Sequence, residues 1–337
     1  MAERKRCVSG MRPTGKLHLG HLAGVLRNWT TLQDAYDCLF MVADWHALMS
    51  EYEHPEHLRE WTIDNVLDWL ACGIDPKRSV IFRQSDVPEH LELYTILSIL
   101  TPLGWVERVP TYKEQLRELE GRELATHGFL GYPILQAADI LLYQAHVVPV
   151  GEDQLPHLEL AREIVRRVHA LYRTTLFPEP RALLTQTPKL LGTDGRKMSK
   201  SYNNTIILEL SADALRADVQ SMFTDPTRLK MADPGHPETC NVCAYWKFFA
   251  PQDAGRVWEE CRTSARGCAQ NKQELAEQLI ALTEPSRTLR ERLGRGAEEY
   301  VETILQDGAR RARTVAAETM RRVREVIGFS SERCATK

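Results

Sequence analysis

Cys38-Leu39-Phe40-Met41-Val42-Ala43 is an uninterrupted apolar run near the start of a chain of 337 residues. A run of this length is typical of a parallel strand that is buried on both faces. Strand-like runs also lie at residues 6–11 and 79–83, and apolar residues at helical spacing separate the three runs at residues 21–33 and 56–72. The order strand, helix, strand, helix, strand predicts an α/β fold with a parallel, Rossmann-type sheet.

The character of the chain changes past its middle. Val147-Val148-Pro149-Val150 reads as another buried strand that ends in a polar turn, and a charged segment at about residues 105–130 is predicted to be an insertion. Further on, apolar residues follow helical spacing, and Gly308 is predicted to break the last helical stretch. The sequence therefore predicts a Rossmann-type domain over residues 1–205 and an all-α domain over residues 206–337, whose last helix packs back on the first domain.

Composition and charge place the chain among ordinary globular proteins. Apolar residues make up 43% and charged residues 26%, and the net charge of −3 argues against a uniformly basic nucleic-acid binder. Residues 308–337 carry eight basic and three acidic side chains and could face phosphates, although a solvated helix face is the simpler explanation. No apolar run approaches the ~20 residues of a membrane span, and the N-terminus lacks a secretory signal. A cytoplasmic location is expected.

A glycine- and histidine-rich segment, Pro13-Thr14-Gly15-Lys16-Leu17-His18-Leu19-Gly20-His21, lies between the first predicted strand and the first predicted helix. Its glycines let the backbone come close to a ligand, and the start of the following helix attracts anions. His18 and His21 are three residues apart, so both rings face one site and can donate hydrogen bonds to a phosphate. The simpler alternative is a glycine-rich turn with two surface histidines.

A second segment, Gly195-Arg196-Lys197-Met198-Ser199-Lys200-Ser201, places two lysines in a glycine-containing loop. Lysine is a point charge suited to phosphate oxygens. In nucleotidyl transfer, negative charge gathers on the α-phosphate and the leaving pyrophosphate, and preplaced cations lower that barrier. The segment indicates a cationic clamp on phosphates, and the alternative is a basic surface loop.

Together the two segments resemble the H-x-G-H and K-M-S-K-S signatures of class I aminoacyl-tRNA synthetases, in that order and about 175 residues apart. Several further segments resemble tryptophanyl-tRNA synthetases, and they cover nearly the whole chain: residues 9–15, 42–47, 131–143, 148–154 and 307–313. The resemblance implies activation of L-tryptophan by ATP with Mg²⁺ and transfer of the product to tRNA(Trp). It also implies a homodimer formed through the insertion at 105–130 and a helical domain that binds the tRNA anticodon arm.

The resemblance also implies roles for individual residues. Asp139 would accept a hydrogen bond from the indole N–H. A carboxylate suits indole because indole has one donor and no acceptor. The rest of the tryptophan pocket would be Val8, His46, Tyr132, Gln136 and Gln154. His18, His21, Lys197 and Lys200 would act on phosphates as the catalytic residues. The remaining ATP contacts would be Arg12, Pro13, Thr14, Gly20, Gly151, Glu152, Asp153, Leu190, Met198, Ser199 and Ser201.

Three other interpretations remain open from the sequence. One is a tyrosine-specific relative. The second is a catalytically inactive, synthetase-like regulator, against which the intact histidine and lysine signatures argue. The third is a nucleotidyltransferase for another small substrate, which would not explain Asp139 or the long helical region.

Four cysteines cluster within 29 residues: Cys240, Cys243, Cys261 and Cys268. A cytoplasmic location argues against structural disulfides, and four thiolates suit zinc or an iron–sulfur cluster. Some tryptophanyl-tRNA synthetases carry a [4Fe–4S] cluster in this region, and the resemblance puts Asn271 where a fourth ligand would stand, so that Cys243 would have to replace it. The sequence predicts a candidate metal site, with [4Fe–4S] favoured over Zn²⁺, and the alternative is a set of ordinary thiols.

Overall fold

The computed structural model describes residues 4–110, 126–184, 190–196, 198, 202–228 and 230–329. A five-stranded parallel sheet forms its centre, in the order β3-β2-β1-β4-β5. The strands are β1 (Arg6–Met11), β2 (Asp37–Val42), β3 (Val80–Arg83), β4 (Val147–Val150) and β5 (Arg181–Leu184). The apolar run that begins at Cys38 forms β2, and every residue from Cys38 to Val42 is buried. The predicted parallel α/β sheet is confirmed.

Helices connect the strands and form most of the remaining chain. The first helical segment has three parts: α1 (Leu19–His21), a π-helical turn over Leu22–Leu26, and α2 (Arg27–Ala35). The others before β5 are α3 (Asp44–Glu51), α4 (Leu58–Ala71), α5 (Glu89–Leu100), α6 (Leu103–Glu107), α7 (His127–Leu142) and α8 (Leu155–Tyr172). After β5 come α9 (Ala212–Ser221), α10 (Asn241–Phe249), α11 (Pro251–Arg262), α12 (Cys268–Leu293) and α13 (Ala297–Ile327). No helix in the described ranges is long and apolar enough to cross a membrane.

The strand order creates a switch point at β1. The chain moves from β1 to β2 and β3 on one side, and β4 and β5 lie on the other side. Open α/β sheets bind ligands outside the carboxyl ends of their strands at such a point. The carboxyl end of β1 leads into the histidine signature at residues 12–21, and that of β4 leads into residues 151–154.

The last helix, α13, packs against the edge strand β3. Gly308 faces the backbone of Ile81 so closely that a Cβ at Gly308 would lie 1.7 Å from the Ile81 carbonyl oxygen. Arg83 in β3 forms an ion pair of 2.6 Å with Glu302, and Arg311 donates to the carbonyl of Pro76 at 2.8 Å. The prediction that Gly308 breaks this helix is wrong, because α13 continues through it and the missing side chain allows the close approach.

Candidate active site

The histidine signature begins the first helix. The N–H of Gly20 donates to Nδ1 of His18 at 3.1 Å, and the N–H of His18 donates to Nδ1 of His21 at 3.2 Å. Because each Nδ1 accepts a hydrogen bond, the proton of each neutral ring lies on Nε2, the nitrogen that would donate to an anion. The ring centroids are 3.9 Å apart. The predicted pairing of the two imidazoles on one turn is therefore present.

The chain that leaves the lysine signature lies against the histidine signature. The N–H of Leu19 donates to the Ile206 carbonyl at 2.9 Å, and the N–H of Leu208 donates to the Leu17 carbonyl at 3.0 Å. A Cβ at Gly20 would lie 3.2 Å from Sδ of Met198, so the two signatures meet at this point. The remaining predicted residues of the clamp, namely Lys197, Ser199, Lys200 and Ser201, lie outside the described residues, as does most of the insertion.

Asp139 in α7 is buried, and three side chains donate to its carboxylate. Nε2 of His46 lies 2.8 Å from Oδ2, while Nε2 of Gln84 and Nδ1 of His90 each lie 2.7 Å from Oδ1. Burial by itself raises the pKa of Asp139, but the hydrogen bonds from His46 and His90 outweigh it and lower the pKa to about 2. The site therefore holds a buried, ionised carboxylate.

Two of those three donors, Gln84 and His90, are absent from the residues predicted from the sequence, as is Tyr143. Nε2 of His90 lies 2.7 Å from the Tyr143 hydroxyl, and burial, followed by the nearby Asp139 charge, raises the pKa of Tyr143. Tyr143 therefore stays protonated and donates to His90, which donates to Asp139. Gln84 could have been found from its position directly after β3, where parallel sheets place their ligand-binding residues.

A second chain of hydrogen bonds joins two predicted pocket residues through His157. The Tyr132 hydroxyl lies 2.8 Å from Nε2 of His157, and Nδ1 of His157 lies 3.0 Å from Oε1 of Gln154. Burial is the main cause that lowers the pKa of His157 to about 4. His157, which the sequence analysis missed, therefore stays neutral at pH 7 and fixes Tyr132 relative to Gln154.

This low pKa makes His157 a source of acid sensitivity. Its pKa is about 4 in the folded protein against an ordinary value of 6.5, so below pH 6.5 the unfolded chain takes up the proton first. The free energy of unfolding should therefore fall between pH 6.5 and 4, by up to about 3 kcal/mol from this group. Urea unfolding at several pH values is expected to show a smaller loss for His157→Asn. His54→Asn, at a side chain that is 80% exposed, is the control, and equal pH slopes for all three proteins would contradict the assignment.

The remaining predicted pocket residues are Val8 and Gln136. Val8 is buried in β1, and Gln136 lies in α7, one turn before Asp139. Of the predicted ATP contacts, Arg12, Pro13 and Thr14 follow β1 directly, Gly151, Glu152 and Asp153 follow β4, and Leu190 precedes the lysine signature. The residues that follow β1 and β4 lie near the switch point. The contacts of all these residues with substrates stay predictions.

The four clustered cysteines are free thiols, and they lie near enough to interact with one another. The Cys243 thiol donates to Sγ of Cys240, and despite burial this contact and backbone N–H groups lower the pKa of Cys240 to about 6. Nδ2 of Asn271 lies 3.7 Å from Sγ of Cys243. Within the described ranges, no group of three or more His, Cys, Asp or Glu side chains has a geometry that could hold a metal ion. The predicted zinc or [4Fe–4S] site is not supported by this arrangement, in which the thiols pair with each other and with an amide.

The fold and the site define a class of enzyme that activates a substrate with a nucleotide at the switch point of a parallel sheet. The family model described as "tRNA synthetases class I (W and Y)" matches residues 1–284. The chain belongs to this family of class I aminoacyl-tRNA synthetases.

Within the family, the chain is similar to enzymes for tryptophan. It is 49% identical to the tryptophan–tRNA ligase of Thermotoga maritima over 96% of this chain and 99% of that protein. It is 40% identical to that of Aquifex aeolicus over 96% and 100% of the two chains. The crystal structure of tryptophanyl-tRNA synthetase from Campylobacter jejuni complexed with ADP and tryptophan superposes with a TM-score of 0.87, at 35% identity over 96% of this chain and 99% of that one.

Proposed function

We propose that the protein is a tryptophan–tRNA ligase. It converts L-tryptophan and ATP, bound with Mg²⁺, to tryptophanyl-adenylate and pyrophosphate, and then transfers the aminoacyl group to the terminal ribose of tRNA(Trp). The observation that carries the choice of amino acid is the buried, ionised Asp139. The family membership carries the class of reaction.

Asp139 suits an indole N–H because of how its oxygens are used. Oδ1 accepts two hydrogen bonds, from Gln84 and His90, whereas Oδ2 accepts one, from His46, among the described residues. A carboxylate oxygen has room for two, so Oδ2 retains a site for one further donor. Oε1 of Gln84 is also buried and has no partner among the described residues. Two acceptors that can take further donors, on side chains that are hydrogen-bonded to each other, favour a substrate that supplies N–H groups.

The first step needs positioning and charge rather than a protein nucleophile. A bond forms between the tryptophan carboxylate oxygen and the α-phosphorus, and the bond from that phosphorus to pyrophosphate oxygen breaks. His18 and His21 would donate Nε2–H to phosphate oxygens as charge moves onto the leaving group. Lys197 and Lys200 would complete this charge stabilisation. In the second step, a tRNA ribose hydroxyl takes the acyl group and AMP leaves.

The test is ATP–pyrophosphate exchange measured separately with each amino acid. Exchange with tryptophan well above that with any other amino acid is expected, followed by charging of tRNA(Trp). Equal or greater exchange with tyrosine would establish the tyrosine-specific interpretation. No exchange with any amino acid would support the inactive regulator.

A homodimer is the proposed assembly. Ile99, Leu103 and Leu171 are 79%, 59% and 52% exposed. Nε of Arg167 in α8 donates to the Leu100 carbonyl of α5 at 2.6 Å, which joins the helices that carry Leu171 and Ile99. Exposed apolar side chains grouped beside the predicted insertion favour an interface there. Analytical ultracentrifugation is expected to give twice the chain mass, and a single-chain mass at micromolar concentration would contradict the proposal.

The proposed location is the cytoplasm, and the cysteines are proposed to take no part in the reaction. A cytoplasmic location agrees with the free state of the described cysteines, because thiols persist in reducing compartments. The reaction as proposed uses no cysteine and no resident metal. Metal analysis and a visible spectrum of anaerobically purified protein would test the [4Fe–4S] or Zn²⁺ interpretation, which stoichiometric metal would restore.

A further inference from the structure

Helix α10 holds the chain that enters the lysine signature. The Tyr245 hydroxyl donates to the Leu191 carbonyl at 2.7 Å, and Nδ2 of Asn241 donates to the Gly192 carbonyl at 2.8 Å. Residues four apart lie on the same face of a helix, so one face of α10 binds two successive carbonyl groups. Tyr245 is 0% exposed and Asn241 is 2% exposed. The Asn241 bond is therefore fully buried, whereas the Tyr245 bond joins a buried hydroxyl to the carbonyl of Leu191, a residue that is 39% exposed.

The segment that α10 holds is compact. The N–H of Gly192 donates to the Arg196 carbonyl at 2.7 Å, and the N–H of Thr193 donates to the Asn204 carbonyl at 2.9 Å. Nδ2 of Asn204 donates to Oδ1 of Asp194 at 2.8 Å. A Cβ at Gly192 would lie 2.2 Å from the Asn204 side chain. Residues on both sides of the lysine signature are thus bonded to each other, and a shift of the carbonyls held by α10 shifts this whole unit.

The opposite end of α10 is attached to the helix that follows the histidine signature. The Arg27 guanidinium of α2 lies 5.1 Å from the ring centroid of Phe248 and 5.4 Å from that of Phe249. Nη1 of Arg27 also donates to the Phe248 carbonyl at 3.2 Å. Helix α10, which has nine residues, therefore contacts both the helix after the histidine signature and the segment before the lysine signature.

We propose that Tyr245 and Asn241 are positioning residues for the lysine signature. By fixing the Leu191 and Gly192 carbonyls, they set the position of residues 191–196, which lead into this signature, relative to the histidine signature. The helical region thereby takes part in tryptophan activation before any tRNA is bound. This inference rests on the proposed function, because it assigns the two residues to the ATP half of that reaction.

Tyr245→Phe is the test, because it removes one hydroxyl and keeps the ring in the core. We expect the kcat of tryptophan-dependent exchange to fall about five- to tenfold, as for the loss of one hydrogen bond. The KM for ATP should rise and the KM for tryptophan should stay within about twofold, because the predicted tryptophan pocket lies on β1, α3, α7 and the turn after β4 rather than on the segment held by α10. Asn241→Ala is expected to give the same split. Tyr300→Phe, at an exposed tyrosine of α13, is the matched control and should match the wild type.

Binding and stability measurements distinguish a failure of the positioning role from a failure of the proposed function. Calorimetric titration of ATP and of tryptophan should show weaker ATP binding alone, and this readout remains if the wild type has no exchange activity, which would itself reject the proposed function. A lower Tm with an unchanged affinity for ATP and an unchanged exchange rate would overturn the positioning role. An equal loss of affinity for tryptophan and for ATP would overturn it as well. If Tyr245→Phe does not fold, Asn241→Ala supplies the same comparison.

Discussion

Asp139→Asn is expected to lower kcat/KM for tryptophan in ATP–pyrophosphate exchange by two to three orders of magnitude. The amide keeps the size of the side chain but removes its charge, and its NH₂ group must face His46 or the pair formed by Gln84 and His90. Hydrogen bonds to a charged group contribute about 1.5–3 kcal/mol each, and each 1.4 kcal/mol is about tenfold in rate. The loss should lie mainly in the KM for tryptophan, since the hydrogen bonds of Asp139 within the part of the chain that the structure describes go to His46, Gln84 and His90.

Asp213→Asn provides the control, because the Asp213 side chain is 96% exposed and the substitution is chemically the same. It should exchange at the wild-type rate. If Asp139→Asn retains wild-type kcat/KM for tryptophan, Asp139 does not recognise the indole, and the choice of tryptophan as the substrate loses its main structural support. Far-ultraviolet circular dichroism of both variants would separate a specific loss of tryptophan activation from misfolding.

Gly308→Ala is expected to destabilise the protein by several kcal/mol. The added methyl group would lie 1.7 Å from the Ile81 carbonyl oxygen and 2.6 Å from its carbon, and neither backbone atom can move without displacing β3. Overpacking against such a rigid neighbour costs about 1–3 kcal/mol or more. Here α13 must also withdraw from the sheet edge, so urea unfolding should show a lower midpoint.

The matched substitution is Gly255→Ala in α11, where a Cβ meets no atom within 4 Å. Alanine has the higher helix propensity, so this variant should gain about 0.5–1 kcal/mol. If the free energy of unfolding falls for Gly308→Ala and rises for Gly255→Ala, the close approach to β3, and not helix propensity, determines the effect at Gly308. Wild-type stability of Gly308→Ala would mean that α13 does not approach β3 this closely.

The sequence predicted correctly those features that depend on a single short segment of the chain. The apolar run from Cys38 predicted a buried parallel strand, and the spacing of His18 and His21 predicted two imidazoles on one turn; both are present in the structure. The prediction for Gly308 failed because a helical glycine can mark a break or a close contact, and the local sequence is the same in both cases. The neighbour that decides between them, Ile81, is far away in the chain.

The sequence by itself determined the parallel sheet, the helical region after it and the two signatures, because apolar periodicity and glycine or histidine spacing are local properties of the chain. The tertiary structure decided what surrounds Asp139, since Gln84 and His90 reach it from separate elements. It also decided that α10 holds the entrance of the lysine signature through Tyr245. The physical reason is that periodicity specifies which face of an element is buried, whereas the partner that buries it depends on how distant elements pack together.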